Sequence, residues 1–505
     1  MNYTPLVRPW FIHKAGQPLT WRGRVEDVQR ATLSWLISHG SHTKWGHERG
    51  LDRVQDYEGY SRAVPAPQTY PQIRELVMRM VGGEADVLWP GVTKRYAQSS
   101  GTSDGKSKYI PITDDSLRHN HYDGGAQVVA QYLRLYPDSR LFSGKSFILG
   151  GSYANELSLP SGVRVGDLSA TLIDCINPLA ERVRVPSKSV ALMPDWATKL
   201  PALIEASLHE NITNISGVPS WFLTVLKGVM AKAGVDCIHD VWPNLEVFFH
   251  GGISMLPYRG QYAHITRQGM RYLESYNASE GFFAVQDTLE SHAMLLLLDS
   301  GVFYEFIPLS QVDSDRPQLI PAWLVEEGEV YSLVITSCNG LWRYTPGDTV
   351  RVESVDPLRI TIAGRTKSFI NAFGEELMVE NAEAAMTRVC REMDCEVANY
   401  TAAPVYASDN RRGRHEWLIE FVCEPASIDA FAEALDRALQ DVNSDYQAKR
   451  AHGIFLDPLT VVRGRRGVFD DWLASTGKLG GQRKVPRLSN NRDIIDRILR
   501  INGET

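Results

Sequence analysis

The segment "SSGTSDGKSKYIPIT", Ser99 to Thr113, constrains this chain more than any other. Gly101, Gly105, Lys106 and Ser107 stand almost in the order of a Walker phosphate loop. That loop needs four residues between its glycines and must run straight into a helix, whose N-terminal amides receive the phosphates. Here only three residues, Thr102, Ser103 and Asp104, separate the glycines. The next residues are "KYIPIT", whose β-branched and aromatic side chains favour extended chain. Pro111 would interrupt an early helical turn. The segment therefore reads as a hydroxyl-rich loop between two extended stretches. Ser99, Ser100, Thr102 and Ser103 offer hydroxyl donors, and Gly101 and Gly105 let backbone amides turn toward an anion. Lys106 or Lys108 adds charge. The competing reading is a plain surface turn rich in Ser and Gly.

A chain of 505 residues exceeds a single compact core and implies at least two domains. Its 43% hydrophobic and 22% charged residues suit a water-soluble globular protein. The net charge is −7, and "RGRRG" near Arg463 is the one basic tract, so nucleic acid is not an expected partner. The N-terminus is broken by prolines and lacks the apolar core of a signal peptide. The longest apolar run, "AMLLLL" from Ala293, is far too short to span a bilayer. Six scattered cysteines, of which only Cys390 and Cys395 are close in sequence, fit no zinc pattern and read as reduced thiols. The expectation is a cytoplasmic monomer with no membrane partner.

The first hundred residues read as mostly helical, as in "RVEDVQRATLSWLISHG" and "YPQIRELVMRMV", with Pro71 in a first turn. Beyond the glycine loop the pattern mixes helix and strand. "LEVFFHGG" and "EGFFAVQ" are strands, "MLLLLDSGVFYEFIPL" is strand, Asp-Ser-Gly turn, strand, and "GEVYSLVIT" and "LWRYTPGDTVRVES" form a further pair. After Arg365 a helix, a strand and a second helix capped by Ser427 make a compact α+β segment. The expected domains are 1–364 and 365–505. The fold class is α/β: a large domain of mixed sheets and helices, then a small α+β one.

Two further segments carry chemistry. "YNASEGFF" places Tyr276, Ser279 and Glu280 together: an aromatic face for a base, a hydroxyl for phosphate, a carboxylate for magnesium. "RYTPGDTV" puts Asp348 in a tight turn, where a carboxylate can bridge two ribose hydroxyls. Each is weak alone; their order after the glycine loop carries the signal. His250 in "FFHGG" and the aromatics Trp242, Phe248, Phe249, Phe282 and Phe283 are candidates for an acyl pocket, with ordinary core as the competing role.

"SSGTSDGKSKYIP", "YNASEG" and "YTPGD" together resemble the three nucleotide motifs of the Gretchen Hagen family, the acyl acid amido synthetases within the adenylate-forming superfamily. The likeness extends to "FYEFIPL", "GEVYSLVITSCNGLWRY" and "GVFDDWLASTGKLGGQRKVPR", so it spans nearly the whole chain. "NAFGEELMVENAE" is acidic where plant members carry a lysine, which brings the chain closer to bacterial members. The resemblance implies ATP and Mg2+ as cofactors, and a carboxylic acid and an amine, usually of an amino acid, as substrates. It assigns Ser99 to Ser103 to the leaving phosphates, Tyr276 to adenine, Glu280 to magnesium and Asp348 to ribose. Ser279 belongs to the same nucleotide-binding set. Arg365 is similar to the superfamily's arginine near the ribose, Lys367 to its hinge, and Lys484 to the lysine that a mobile C-terminal domain brings to the phosphates. An acyl-CoA ligase shares the first half of this chemistry, and a non-catalytic adenylate sensor would share the fold.

Overall fold

The computed structural model describes residues 2–503 except 100–107, 154, 156, 253–254, 256–257, 313, 366–369, 371, 373–374, 376, 406–412, 444–445, 448–449, 451–455, 477–484 and 490. For Ser99, Trp196, Ala197, Ser220 and Arg365 it describes the backbone alone. The chain divides into two compact units, Met1–Pro346 with Val350–Thr361, and Gly347–Thr349 with Ile362–Thr505. No described helix is long and apolar enough to cross a membrane.

The first hundred residues are helical as the sequence implies, with Val25–Gly40 and Tyr70–Val81 among the helices. Thr69 and Gln72 form a capping box ahead of the second of these, and Pro71 sits in its first turn. The glycine loop joins Arg95–Ser99 to Lys108–Pro111, which pair antiparallel with Ser99 opposite Lys108. Arg164–Gly166 adds a parallel third strand. A strand therefore succeeds the loop, as Tyr109, Ile110 and Pro111 demand, and the Walker geometry is excluded.

The main sheet begins with parallel strands in the order Arg184–Val185, Lys145–Ile148, Ile212–Gly217, Val247–Gly251 and Arg271–Ala278. It turns antiparallel at Gly281–Gln286. Parallel strands covered on both faces must be apolar on both. Here Phe248 packs into the core under helices Trp196–Leu208 and Pro219–Ala233, while Phe249 packs into the core with Tyr132 of helix Tyr122–Leu135. Met294–Leu296 and Val302–Pro308 both form, but they do not pair with each other. The first lies between Gly281–Gln286 and Leu358–Arg365, the second between Ile320–Pro321 and Val330–Ser337. Buried Gln29 takes up backbone groups on both sides of the connection between them. Its Nε2 donates to the Leu298 and Val302 carbonyls, and its Oε1 accepts from the Tyr304 N–H.

In the second unit, Glu396–Val405, Arg414–Cys423 and Thr460–Gly464 form a three-stranded sheet. Trp417 and Ile419 face one core with helices Val379–Glu392 and Ile428–Val442; Leu418 faces another with Val468–Ser475 and Asp493–Gly503. Ser427 caps its helix, accepting from the Ala430 N–H at 3.2 Å.

A buried ion pair and a half-buried carboxyl in the first unit make the fold testable. Arg343, in the left-handed region at φ +47°, forks onto Glu305 with hydrogen bonds of 2.8 and 2.6 Å, and both residues are 1% exposed. The guanidinium also donates to the Val64 carbonyl and to Ser61, and Tyr57 donates to Glu305. This ties the helix Tyr57–Ala63 to the sheet. Removing one partner strands a buried charge, so Glu305→Ala should cost about 3–5 kcal/mol by urea denaturation, while replacing both residues by apolar ones should cost much less. Glu274 stands opposite His250 in the parallel register, near Arg259, which donates to His292 at 3.1 Å. Burial pushes its carboxyl up to about 7, against the pull of Arg259. The folded protein thus holds a proton that the unfolded chain releases above about 4.3. The stability from this group is full below that value and lost as pH rises through about 7. Unfolding free energies measured across that window should fall for the parent and stay flatter for Glu274→Gln.

Candidate functional site

The parallel strands present their carboxyl ends at one edge of the sheet, where ligands of open α/β sheets bind. Val247–Gly251 ends in His250 and Gly251, and a Cβ on Gly251 would fall 2.3 Å from the Ser275 carbonyl. Only glycine permits that close approach of neighbouring strands. His250 is buried at 5% exposure, its Nδ1 has no hydrogen-bond partner among the described residues, and burial lowers its pKa to about 3. Its imidazole is neutral at pH 7.

Arg271–Ala278 carries Tyr276 to the same edge. Tyr276 is 4% exposed and packs edge-on against Phe283, with ring centroids 4.9 Å apart. The strand then turns through Ser279 and Glu280, both buried, into Gly281–Gln286. Glu280 is therefore a buried carboxylate in a tight connection, held by side chains from elsewhere. Asn339 Nδ2 donates to the Glu280 carbonyl at 3.1 Å, and the Ser337 hydroxyl donates to Asn339 Oδ1 at 2.5 Å. Asn120 Oδ1 accepts from the Phe282 N–H at 2.6 Å, and its Nδ2 donates to the Phe282 carbonyl at 2.9 Å. Thr113, two residues past the hairpin, donates to the Cys338 carbonyl at 2.7 Å. Thr113, Asn120 and Asn339 thus connect the glycine-loop hairpin, the Glu280 turn and the strand pair leading to Asp348. The sequence reading missed all three. The cluster "LRHNH" was the available signal, since polar residues on a helix that must pack on a sheet need partners.

Asp348 does not sit within the turn. It is the first residue of strand Asp348–Val355, directly after Gly347 at φ +90°, and it is 6% exposed. The turn is positioned from behind: the Gln68 N–H donates to the Arg343 carbonyl at 2.7 Å, and the Thr345 N–H donates to the Gln68 carbonyl at 2.9 Å. Trp242, Phe248, Phe249, Phe282 and Phe283 are all buried in the two cores of the first unit. Ser100, Gly101, Thr102, Ser103, Lys106, Lys367 and Lys484 lie outside the described residues, as do the side chains of Ser99 and Arg365. Arg365 closes its strand, Leu358–Arg365.

Among the described residues no group of three or more His, Cys, Asp or Glu could hold a metal ion. The buried carboxylate of Glu280 is a donor of the type that fits Mg2+. That ion is commonly held by one or two carboxylates plus substrate phosphates, with water completing its shell.

Comparison with known proteins agrees with this layout. Models of the GH3 family match residues 21–179 (N-terminal domain), 295–365 (central domain) and 380–493 (C-terminal domain). Indole-3-acetic acid-amido synthetase GH3.3 of Arabidopsis thaliana is 23% identical, over 94% of this chain and 91% of its own. Jasmonoyl-L-amino acid synthetase GH3.5 of Oryza sativa subsp. japonica is 23% identical, over 92% of each. Among solved structures, the GH3.15 acyl acid amido synthetase superposes with a TM-score of 0.77 at 18% identity, covering 95% of this chain and 93% of that one. 2-Hydroxyisobutyryl-CoA ligase in its postadenylation state superposes at 0.59 and 12%, covering 96% and 93%. These two likenesses establish an adenylate-forming fold. With three family domains matched in order along the chain, this protein belongs to the GH3 family.

Proposed function

We propose that this chain is an ATP-dependent acyl acid amido synthetase. It activates a carboxylic acid as its acyl-adenylate, releasing pyrophosphate, and transfers the acyl group to an amine of the amino-acid class, releasing AMP. The observation that carries the reading is membership of the GH3 family over all three of its domains, with amido synthetases aligned over more than nine-tenths of both chains.

The residues divide the work by chemical type. A carboxylate is a poor nucleophile, and its attack on the α-phosphate brings negative charges together. Amide and hydroxyl donors from Ser99 to Ser103, with cations nearby, would stabilise that charge as it shifts onto pyrophosphate. Tyr276 and Ser279 would contact the nucleotide, Asp348 would bind the ribose, and Arg365 would lie beside it. Glu280 would hold Mg2+, which supplies charge neutralisation to the phosphates. Residues 365–505 would act as a lid hinged at Lys367, bringing in Lys484 for adenylation and withdrawing it for amide formation. No side-chain nucleophile is required.

The direct test is to incubate the protein with ATP, Mg2+ and a panel of aryl, indolyl and fatty acids. AMP and pyrophosphate should appear only with certain acids, and amide only when an amino acid is added. Thioester from coenzyme A without amide would favour the ligase reading, and no AMP with any acid would favour a sensor. Lys484 separates the half-reactions. Lys484→Ala should slow acid-dependent pyrophosphate release by about 100-fold or more, the scale of a lost transition-state contact. A chemically supplied acyl-adenylate should still be converted to amide at the parent rate. Equal loss in both half-reactions would contradict the moving-lid account.

A further inference from the structure

The helical run after the glycine-loop hairpin is not uniform. Thr113 caps it, accepting from the Ser116 N–H at 2.9 Å. The run opens into a π turn at Leu117–His121 and resumes as Tyr122–Leu135. π turns are uncommon and concentrate at functional sites. Because the turn is wider, successive side chains diverge less around the axis. Two consecutive residues here, Asn120 and His121, reach the two strands that the Ser279–Glu280 turn joins, Asn120 at Phe282 and His121 at Asn277.

Asn120 is 2% exposed, and its side-chain amide bridges Phe282 and Ser300. One oxygen takes the Phe282 N–H, and the nitrogen reaches both the Phe282 and Ser300 carbonyls, each at 2.9 Å. His121 is 3% exposed and interacts with the Asn277 side chain, although neither ring nitrogen nor Asn277 Oδ1 attains full hydrogen-bond geometry. One turn further, Gly124 has no side chain, and a Cβ would fall 2.3 Å from the Phe282 ring. On the other side Asn339 holds the Glu280 carbonyl. Gly281 lies between the two amides, and a Cβ there would fall 2.7 Å from the Phe283 ring. The backbone of Glu280, Gly281 and Phe282 is therefore fixed from both sides. The direction in which the Glu280 side chain leaves the backbone is fixed with it.

We propose that Asn120 and Asn339 are positioning residues for the Glu280 carboxylate, holding it where a divalent cation shared with the nucleotide phosphates is bound. This rests on the assignment of Glu280 to the metal in the proposed function. Neither asparagine touches substrate in this account. They act through Glu280, as residues that orient a metal ligand do. A merely structural clamp would set stability and bind the nucleotide equally well or badly with and without metal.

The test is calorimetric titration of ATP into the full-length protein, once with Mg2+ and once with EDTA, for the parent, Asn120→Ala, Asn339→Ala and Glu280→Gln. The gain in ATP affinity on adding Mg2+ should shrink by about 10-fold or more in Asn120→Ala, the usual scale for losing an outer partner of a metal ligand. Affinity in EDTA should stay at the parent value. Amide formation from a supplied acyl-adenylate, which needs no metal at the phosphates, should also be unchanged. If Asn120→Ala fails to fold, Asn339→Ala removes one hydrogen bond to the Glu280 carbonyl and carries the same expectation. A gain that survives in the asparagine variants but is lost in Glu280→Gln overturns the positioning role alone. A gain that survives in Glu280→Gln overturns the metal assignment and the positioning role with it.

Discussion

Two side-chain amides, from Asn120 and Asn339, bear the constraint on which the first unit's candidate site depends. A connection between buried strands leaves backbone N–H and C=O groups that water cannot reach, and each must find a partner inside the protein. Here the partners are supplied by a helix on one side and by the strand turn Ser337–Gly340 on the other. In a low-dielectric interior such bonds are strong when complete and costly when broken. The connection therefore has one arrangement, and it places a carboxylate at the carboxyl edge of the parallel strands.

The rest of the first unit makes that edge possible. Strand Val247–Gly251 is buried on both faces and anchored by apolar packing, and its neighbour Arg271–Ala278 is anchored through buried Leu273 and Tyr276. The buried Arg343–Glu305 pair ties strand Leu341–Tyr344 to strand Val302–Pro308. A buried ion pair of this kind adds little net stability over apolar packing, but it tolerates no half-measures.

The sequence made the local features plain and left the long-range ones hidden. Tyr109 to Pro111 announce a strand by their own propensities, so the rejection of a Walker loop needed no structure. Gly281–Gln286, Val330–Ser337 and the helix capped by Ser427 were visible for the same reason. The strand, Asp-Ser-Gly turn, strand pattern of "MLLLLDSGVFYEF" marked both strands but not their partners. Gln29, far away in sequence, takes up backbone groups on both sides of the connection between them. Asn120, Asn339 and Glu274 also escaped notice, because their importance comes from register and burial rather than from any motif. Asp348 was singled out by its motif, but its place at a strand start needed the backbone. Family resemblance named further positions, Lys484 and Lys367 among them, whose roles rest on that resemblance.

The central claim is that an acyl-adenylate forms, and oxygen tracing tests it most directly. When the carboxylate of an accepted acid is labelled with 18O and turned over with ATP and an amino acid, adenylate chemistry must leave one labelled oxygen on the phosphate of AMP. Mass spectrometry of the recovered AMP should show that shift. Label in orthophosphate with ADP as the nucleotide product would mean an acyl phosphate, and unlabelled AMP would mean that the acid never bonded to the α-phosphate; either result would contradict the account.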